Sequence, residues 1–596
     1  MKIIRHSMRN TTILLRSVPL ILILSCVAVA QEQSQYDHGT PPQHAAGISA
    51  IGSYTSSDLG TVNLSNGSLN FKIPLGDVGG RGFSLPLTLN YSSKVWSASR
   101  STAFNPDAPN GGQNYPVVFA RYDDDAAAMD IFQRVAPGWS LGGVPVLRVR
   151  GIGINSFHDT APCGSQFVYA LTKLTLILPD KGEIELRDDA TDGEPLGTGY
   201  SGGCRVMDGN RGQRWDATDG SGTVFINDVN NGIVNGNLNG VVITGEGTRY
   251  RIQNTPSSYF GGSVFLQGFG RTITVTDRNG NILSISYPSD SSVVYTDQLG
   301  RATRIDYGAQ DPGNPAQTLA VLVTLLGYNN QNHYYKIKTG EMNQHYRAGI
   351  NPTLPVINGD NDPLGYGYGY LGPHTSLFPN SYGAWGDQQQ IDAEAVLTEL
   401  VLPDGRSLTF NYNEYGEVAE TVMPTGGRVQ YDYAYTATLP TGNSASWETR
   451  TIQIPNNVQE IDRAIVARRT YADGASLESS WSYAYGPQAA PNGSTYGSTE
   501  VQAHAPDNTL MLDQRHFFMA TQRFLSWNGH EAIGTGYSFW STGIEWRTET
   551  RDVANTAIAA SEEDWSQRVP VSWPWPNWTV QQIANGGFKM KCNFEN

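Results

Sequence analysis

Residues 400–433 read LVLPDGRSLTFNYNEYGEVAETVMPTGGRVQYDY, and their pattern decides the fold class. Leu400 and Leu402 lead into Pro403-Asp404-Gly405, then Leu408, Phe410 and Tyr412 alternate up to Asn413-Glu414-Tyr415-Gly416. Val418 and Val422 lead to Pro424-Thr425-Gly426-Gly427, after which Val429, Tyr431 and Tyr433 alternate again. Apolar residues at every second position put one face of a strand against a core. Pro presets φ, Asp bonds its own backbone, and Gly supplies a positive φ, so each break is a chain reversal with a mechanism. Three turns about eleven residues apart make an antiparallel meander.

The same grammar runs outward in both directions. Phe83, Leu85, Leu87, Leu89 and Tyr91 alternate, and so do Leu174, Leu176 and Leu178. The latter enter Pro179-Asp180-Lys181-Gly182 and leave through Ile184 and Leu186. Ile273 and Val275 enter Asp277-Arg278-Asn279-Gly280, and Leu283, Ile285 and Tyr287 follow. Asn-Gly is a strong hairpin signal. Asp297-Gln298-Leu299-Gly300-Arg301 lies about twenty residues further on, a spacing that indicates stacked hairpin repeats. The expected fold is all-β, with antiparallel hairpins joined into one large curved sheet that covers 270–435. Residues 319–326 read as a buried strand. Residues 309–395, with the run Gly367-Tyr368-Gly369-Tyr370, read as an excursion from the sheet.

Composition agrees. Of 596 residues 65 are Gly and 32 Pro, charged residues are 16%, and aromatics are 10%. Gly costs a helix about 1 kcal/mol per site relative to Ala, which disfavours a helical bundle. The aromatic content disfavours intrinsic disorder.

Residues 1–30 hold Lys2, Arg5, Arg9 and Arg16, no acid, and an apolar run over 18–30 that ends in Ala28-Val29-Ala30. That is the pattern of a secretory signal peptide cut before Gln31. The run is shorter than the ~20 residues a spanning helix needs. Lipidation at Cys26 is the minor alternative. Export to a secreted or cell-surface location is therefore expected. Loss of the leader makes a chain of net charge -15 four charges more acidic. Nothing provides the clustered Lys/Arg that nucleic acid demands.

An exported chain meets an oxidising compartment, so Cys163 and Cys204 are the candidate disulfide, with Cys592 left over. No Cys-x-x-Cys or His-Glu-x-x-His spacing points to zinc, and no metal or cofactor is expected. Gly199-Tyr200-Ser201-Gly202-Gly203 has the letters of a nucleophile elbow, but an elbow needs a strand before it and a helix after it. Glycine-rich loop is the plainer reading, and no catalytic residue is assigned. Asp123-Asp124-Asp125 and Asp360-Asn361-Asp362 offer oxygens to Ca²⁺, but read as solvated turns. Trp573, Trp575 and Trp578, with Pro574 and Pro576 between, are the candidate glycan-stacking residues, or else tail packing.

The turn units carry a resemblance. Thr296-Asp297-Gln298-Leu299-Gly300-Arg301, and Tyr412 with Asn413-Glu414-Tyr415-Gly416, resemble the Tyr-Asp-x-x-Gly-Arg units of the RHS/YD-repeat family. That family includes the RHS proteins, insecticidal toxin complexes and teneurins. Gly60-Thr61-Val62-Asn63, Ile73-Pro74-Leu75, Arg81-Gly82, Leu85-Pro86-Leu87 and Asn90-Tyr91-Ser92-Ser93 resemble the N-terminal lead-in of secreted members. Pro137-Gly138-Trp139-Ser140-Leu141 resembles the element that follows it, and Leu402-Pro403-Asp404-Gly405-Arg406 the later repeats. The resemblance touches most of 52–485. It implies a hollow shell or an incomplete one, which in some members encloses a C-terminal toxin. It also implies a non-enzymatic scaffold for cell contact, interbacterial competition or toxin encapsulation. The expected partners are an effector domain or protein, or cell-surface glycans. The family's Asp-Pro-x-Gly core motif is missing from the C-terminal end, since Asp362-Pro363-Leu364-Gly365 precedes the repeat block, so a truncated or degenerate member is expected. A carbohydrate-binding module and a secreted hydrolase are the alternatives.

The expected divisions are a signal peptide 1–30, a disordered linker 31–50, the lead-in region 51–150, and a β region with glycine-rich loops 151–265. Then follow repeats at 266–308, the excursion 309–395, a repeat block 396–485, and a degenerate β region with an irregular tail 486–596.

Overall fold

The computed structural model describes residues within 46–350, 395–435, 463–518, 543–567 and 594–595. Gaps inside these stretches fall at 49–51, 58, 80–82, 106–112, 123–129, 131, 150–153, 160–165, 172–173, 189–199, 202–203, 206–211, 218, 230–237, 255–267, 490–494 and 564. The described elements are β-strands and two single 3-10 turns, and every named strand pair is antiparallel. The all-β expectation holds.

Among the described residues three bodies of sheet carry most of the strands, beside five separate two-stranded sheets. The first is a six-stranded N-terminal sheet in the order Tyr54–Ser56, Gly60–Asn63, Leu69–Val78, Leu85–Ser92, Trp139–Gly142, Arg134–Ala136. The second is a closed ring. Strand Val146–Val149 pairs on one edge with Leu174–Ile177 and on the other with Gly268–Thr276. Between those partners run Glu183–Asp188, Arg214–Ala217, Val224–Asn227, Gly240–Ile243 and Arg249–Asn254, each bonded to the next. Closure removes sheet edges and gives the ring its own core of Leu147, Leu174, Leu176, Leu186, Trp215, Phe225, Val242 and Ile252. Gly270 sits at the closing pair, where a Cβ would stand 2.5 Å from Ile252 Cγ2. The ring draws strands from both sides of residues 150 and 265.

The third body branches from the ring. One edge of strand Gly268–Thr276 is divided: Gly268 to Arg271 pair with Val146–Val149, and Thr274 to Thr276 pair with Ile282–Ser289. From that fork the sheet continues as an open ladder through Ser292–Asp297, Ala302–Tyr307, Val321–Leu326, Asn332–Glu341, Ala395–Val401, Ser407–Tyr412, Val418–Val422 and Arg428–Tyr435. It goes on through Arg463–Tyr471, Leu477–Ala489, Thr495–His504, Leu510–Phe518, Glu545–Arg551 and Ala557–Glu562.

Two strands of this ladder correct the expected excursion at 309–395. Val321–Leu326 and Asn332–Glu341 are full members, with Val321, Val323 and Ile337 buried. Strand Asn332–Glu341 mixes polar and aromatic residues and carries little alternation, so its place is set by its neighbours rather than by its own pattern. Residues 351–394, including the Gly/Tyr run, lie outside the described residues.

The N-terminal sheet covers one face of the ladder, and the main core lies between them. Phe71 stands 6.4 Å from Phe410 and 5.8 Å from Tyr431, centroid to centroid, and Trp139 stands 4.6 Å from Phe410 edge-on. Offset and edge-on aromatic pairs add about 0.5–1.5 kcal/mol each beyond area burial.

Candidate functional site

The predicted turn residues share one construction. In Asp277 to Asn281 the Gly280 N–H donates to the Asp277 carbonyl at 3.1 Å, and the Asp277 N–H to the Asn281 carbonyl at 3.1 Å. This is a type I turn closed by a residue in the left-handed region. The same pair of bonds recurs in turns starting at Leu178, Thr244, Asp297, Leu402, Asn413, Met423, Ala505 and Asp552. The fourth position of each has positive φ: Lys181, Gly247, Gly280, Gly300, Gly405, Gly416, Gly426, Asn508 and Asn555.

Two sequence formulas account for seven of the nine turns, and Thr244-Gly245-Glu246-Gly247 and Met423-Pro424-Thr425-Gly426 fit neither. In one the first residue is Asp or Asn, and its side chain caps the loop. Asp297 Oδ1 accepts the N–H groups of Leu299 and Arg301, both at 2.9 Å, and Arg301 Nε donates to Asp297 Oδ2 at 2.7 Å. Asn413 Oδ1 accepts from the N–H groups of Tyr415 and Glu417, both at 3.0 Å. In the other formula Pro stands second and Asp third. Asp404 Oδ1 accepts the Arg406 N–H at 3.0 Å, and Arg406 Nε donates to Oδ2 at 2.8 Å. The Asn281 amide holds the Asp277 carboxyl below its usual range, and the Arg406 guanidinium does the same for Asp404. At Asp297 burial pushes upward, but Arg301 and the loop amides outweigh it and the carboxyl ends below its usual range.

A second repeated device lies inside the ladder. Ile273, Thr398, Ala419 and Val466 are each an extra residue opposite an unbroken neighbouring strand, which makes them β-bulges. A bulge leaves backbone groups without ladder partners. In all four cases a tyrosine from the following strand donates its hydroxyl to the carbonyl just before the bulge. Tyr287 reaches Thr272 O at 3.0 Å, Tyr412 reaches Leu397 O at 2.6 Å, Tyr433 reaches Val418 O at 3.0 Å, and Tyr485 reaches Ile465 O at 2.9 Å. Burial drives the hydroxyls of Tyr287, Tyr412 and Tyr433 well above the ordinary tyrosine range, so they remain donors.

The N-terminal sheet docks on these same points. Tyr91 Oη accepts the N–H of Val418 at 2.9 Å, and Gly67 O accepts the N–H of Ile465 at 3.0 Å. Trp139 Nε1 donates to Tyr412 Oη at 3.1 Å, and just beyond the sheet's strand Leu85–Ser92 the Trp96 Nε1 donates to Tyr415 O at 2.8 Å. Buried charges lock the seam. Arg463 pairs bidentately with Glu417 at 3.0 and 2.9 Å, lies 3.4 Å above the Tyr415 ring, and offers its carbonyl to Lys94 Nζ at 2.8 Å. Arg271 grips Asp130 at 2.6 and 3.0 Å and lies over the rings of Phe132 and Tyr287. Sequence reading missed this seam. Its one signal was the tyrosine that closes the strand before a turn, as in Tyr412-Asn413.

The other sequence candidates do not converge. Tyr200–Ser201 pairs with Cys204–Arg205 as a two-stranded hairpin, so a strand and not a helix follows Ser201. Cys163 lies outside the described residues, as do Trp573, Trp575, Trp578, Asp123, Asp360 and Asp362. Among the described residues no cluster of three or more His, Cys, Asp or Glu is placed to hold a metal ion. Among them, too, no helix is long and apolar enough to cross a membrane.

No protein-family profile matches the chain, and no curated protein matches it. Among solved structures it is similar to a porin-like protein from Bacteroides uniformis at 11% identity, over 48% of this chain and 90% of that one, with a TM-score of 0.17. It is similar to the Photorhabdus luminescens Tc holotoxin pore at 8% identity, over 83% of this chain and 26% of that one, with a TM-score of 0.15. It is also similar to the N-terminal domain of the effector protein SpvB from Salmonella typhimurium at 12% identity, over 73% and 98%, with a TM-score of 0.14. The chain thus spans about a quarter of the toxin-complex chain it matches.

Proposed function

We propose that this chain is an exported, non-enzymatic β scaffold of the RHS/YD-repeat type, which holds or displays an effector in cell contact or interbacterial competition. The observation that carries the reading is the repeated unit of bulged strand, reversing turn and capping tyrosine over residues 268–489. The capping tyrosine hydroxyls and the turn carboxylates of this unit are spent on backbone partners, which suits rigidity rather than chemistry. The YD-type motifs quoted above support the family assignment.

The test is a competition assay in the native host with the gene deleted and restored. The wild-type chain should restore competition, appear in the medium or protease-accessible at the cell surface, and begin at Gln31. Ser201→Ala should restore it equally. A chain retained inside the cell with Met1 intact would refute export, and a dead Ser201→Ala variant would move a secreted hydrolase ahead.

A further inference from the structure

Arg468 is 4% exposed, on strand Arg463–Tyr471, and its Nε and Nη1 have no hydrogen-bond partner among the described residues. No carboxylate pairs with it there, in contrast to the buried Arg463, which holds Glu417. A buried guanidinium without a counter-charge is costly, because it has left water without replacing that solvation.

The surroundings are organised toward it. Arg468 stands directly opposite Tyr431 on one neighbouring strand and Trp481 on the other. Its guanidinium carbon lies 4.7 Å from the Trp481 ring centroid, over the ring. The Tyr431 hydroxyl is buried and also lacks a hydrogen-bond partner. Burial drives that hydroxyl well up and Arg468 draws it partly back, so the phenol lies within the field of the guanidinium. Arg468 acts likewise on Tyr483, whose hydroxyl accepts from Thr55 Oγ1 at 3.4 Å. Thr55 belongs to Tyr54–Ser56, the edge strand of the N-terminal sheet, so the group sits in the seam at its rim.

We propose that Arg468, Tyr431 and Trp481 form an anion-binding site in the rim of the seam, which takes a single carboxylate group. One guanidinium supplies one positive charge and a planar pair of donors, and the Tyr431 hydroxyl supplies a third. A carboxylate matches that charge and that plane, whereas a phosphate dianion leaves a charge uncompensated in an aromatic setting. The source is either a small free carboxylic acid or the side chain of an aspartate on another polypeptide.

The experiment is thermal unfolding of the full chain at constant ionic strength, with chloride replaced by acetate, by blocked aspartate (N-acetyl, C-amide), or by inorganic phosphate. Blocked asparagine is the control. The expected result is a saturable rise in Tm with acetate or blocked aspartate, and none with blocked asparagine. Acetate alone would assign a free acid, and blocked aspartate bound at least tenfold tighter would assign a polypeptide. Arg468→Met should abolish the rise, and its Tm in chloride should match or exceed the wild type because an uncompensated charge is removed. Tyr431→Phe keeps the charge and should weaken binding several-fold. The proposal is overturned if no carboxylate gives a saturable rise, if phosphate is the better ligand, if Arg468→Met keeps the rise, or if Arg468→Met unfolds earlier in chloride.

Discussion

Trp139 Nε1 donates to Tyr412 Oη across a sequence separation of 273 residues, and the same hydroxyl donates onward to Leu397 O at 2.6 Å. One oxygen thus joins the N-terminal sheet, the tyrosine strand and the bulge at Thr398. Tyr412→Phe keeps the ring and leaves a buried indole N–H and a buried carbonyl without partners. Each such orphan costs about 1–3 kcal/mol, so the variant should lose about 2–4 kcal/mol. The urea midpoint checks this; a loss under about 0.5 kcal/mol would show that the hydroxyl is not the joint.

Two glycines separate backbone strain from packing. Gly405 has φ +84 with open space around it, so Gly405→Val suffers only the left-handed penalty, about 1–2 kcal/mol. Gly67 has φ +67, and its added Cβ would stand 2.1 Å from Ala464 Cβ. Gly67→Ala should therefore cost more, and should release the N-terminal sheet at Ile465, with faster hydrogen exchange of that amide.

The Glu417–Arg463 pair should behave as a buried unit, with side chains 1% and 7% exposed. Glu417→Gln or Arg463→Met alone leaves a buried group unmatched and should cost about 3–5 kcal/mol. The double variant should cost clearly less than the sum, which a double-mutant cycle by chemical denaturation would measure. Additive losses would contradict the coupling.

Acid should loosen the ladder at Asp432. Burial raises this carboxyl, but Arg347 at 2.8 Å and Arg469 at 2.5 Å outweigh it, and it ends below its ordinary value of 3.8. A depressed folded pKa gives stability that is present above the unfolded value and disappears as pH falls through the folded one. The wild type should lose its advantage over Asp432→Asn as pH falls below about 4. An advantage independent of pH would refute the assignment.

Strand alternation and turns were legible in residues 400–433, because both are local. A Pro-Asp-Gly or Asp-x-x-Gly loop closes bonds within five residues, and its glycine is the residue that accepts positive φ. Lys181, Asn508 and Asn555 hold the same position without glycine, and Leu178, Met423 and Ala505 open the turn without Asp or Asn. The backbone bonds and not the letters define the unit, so only part of the series could be read.

The sequence by itself determined an all-β chain of antiparallel hairpins and where several of them reverse. The tertiary structure decided that Val146–Val149 closes a ring against Gly268–Thr276, and that the N-terminal sheet covers the ladder. It also decided that Tyr287, Tyr412, Tyr433 and Tyr485 cap bulges, and that Arg468 lies buried beside Trp481. The reason is the range of the interactions. Turn bonds are set by neighbours in the chain, whereas a bulge frees an amide whose partner, such as Tyr91 for Val418, is 327 residues away and is chosen only when two sheets meet.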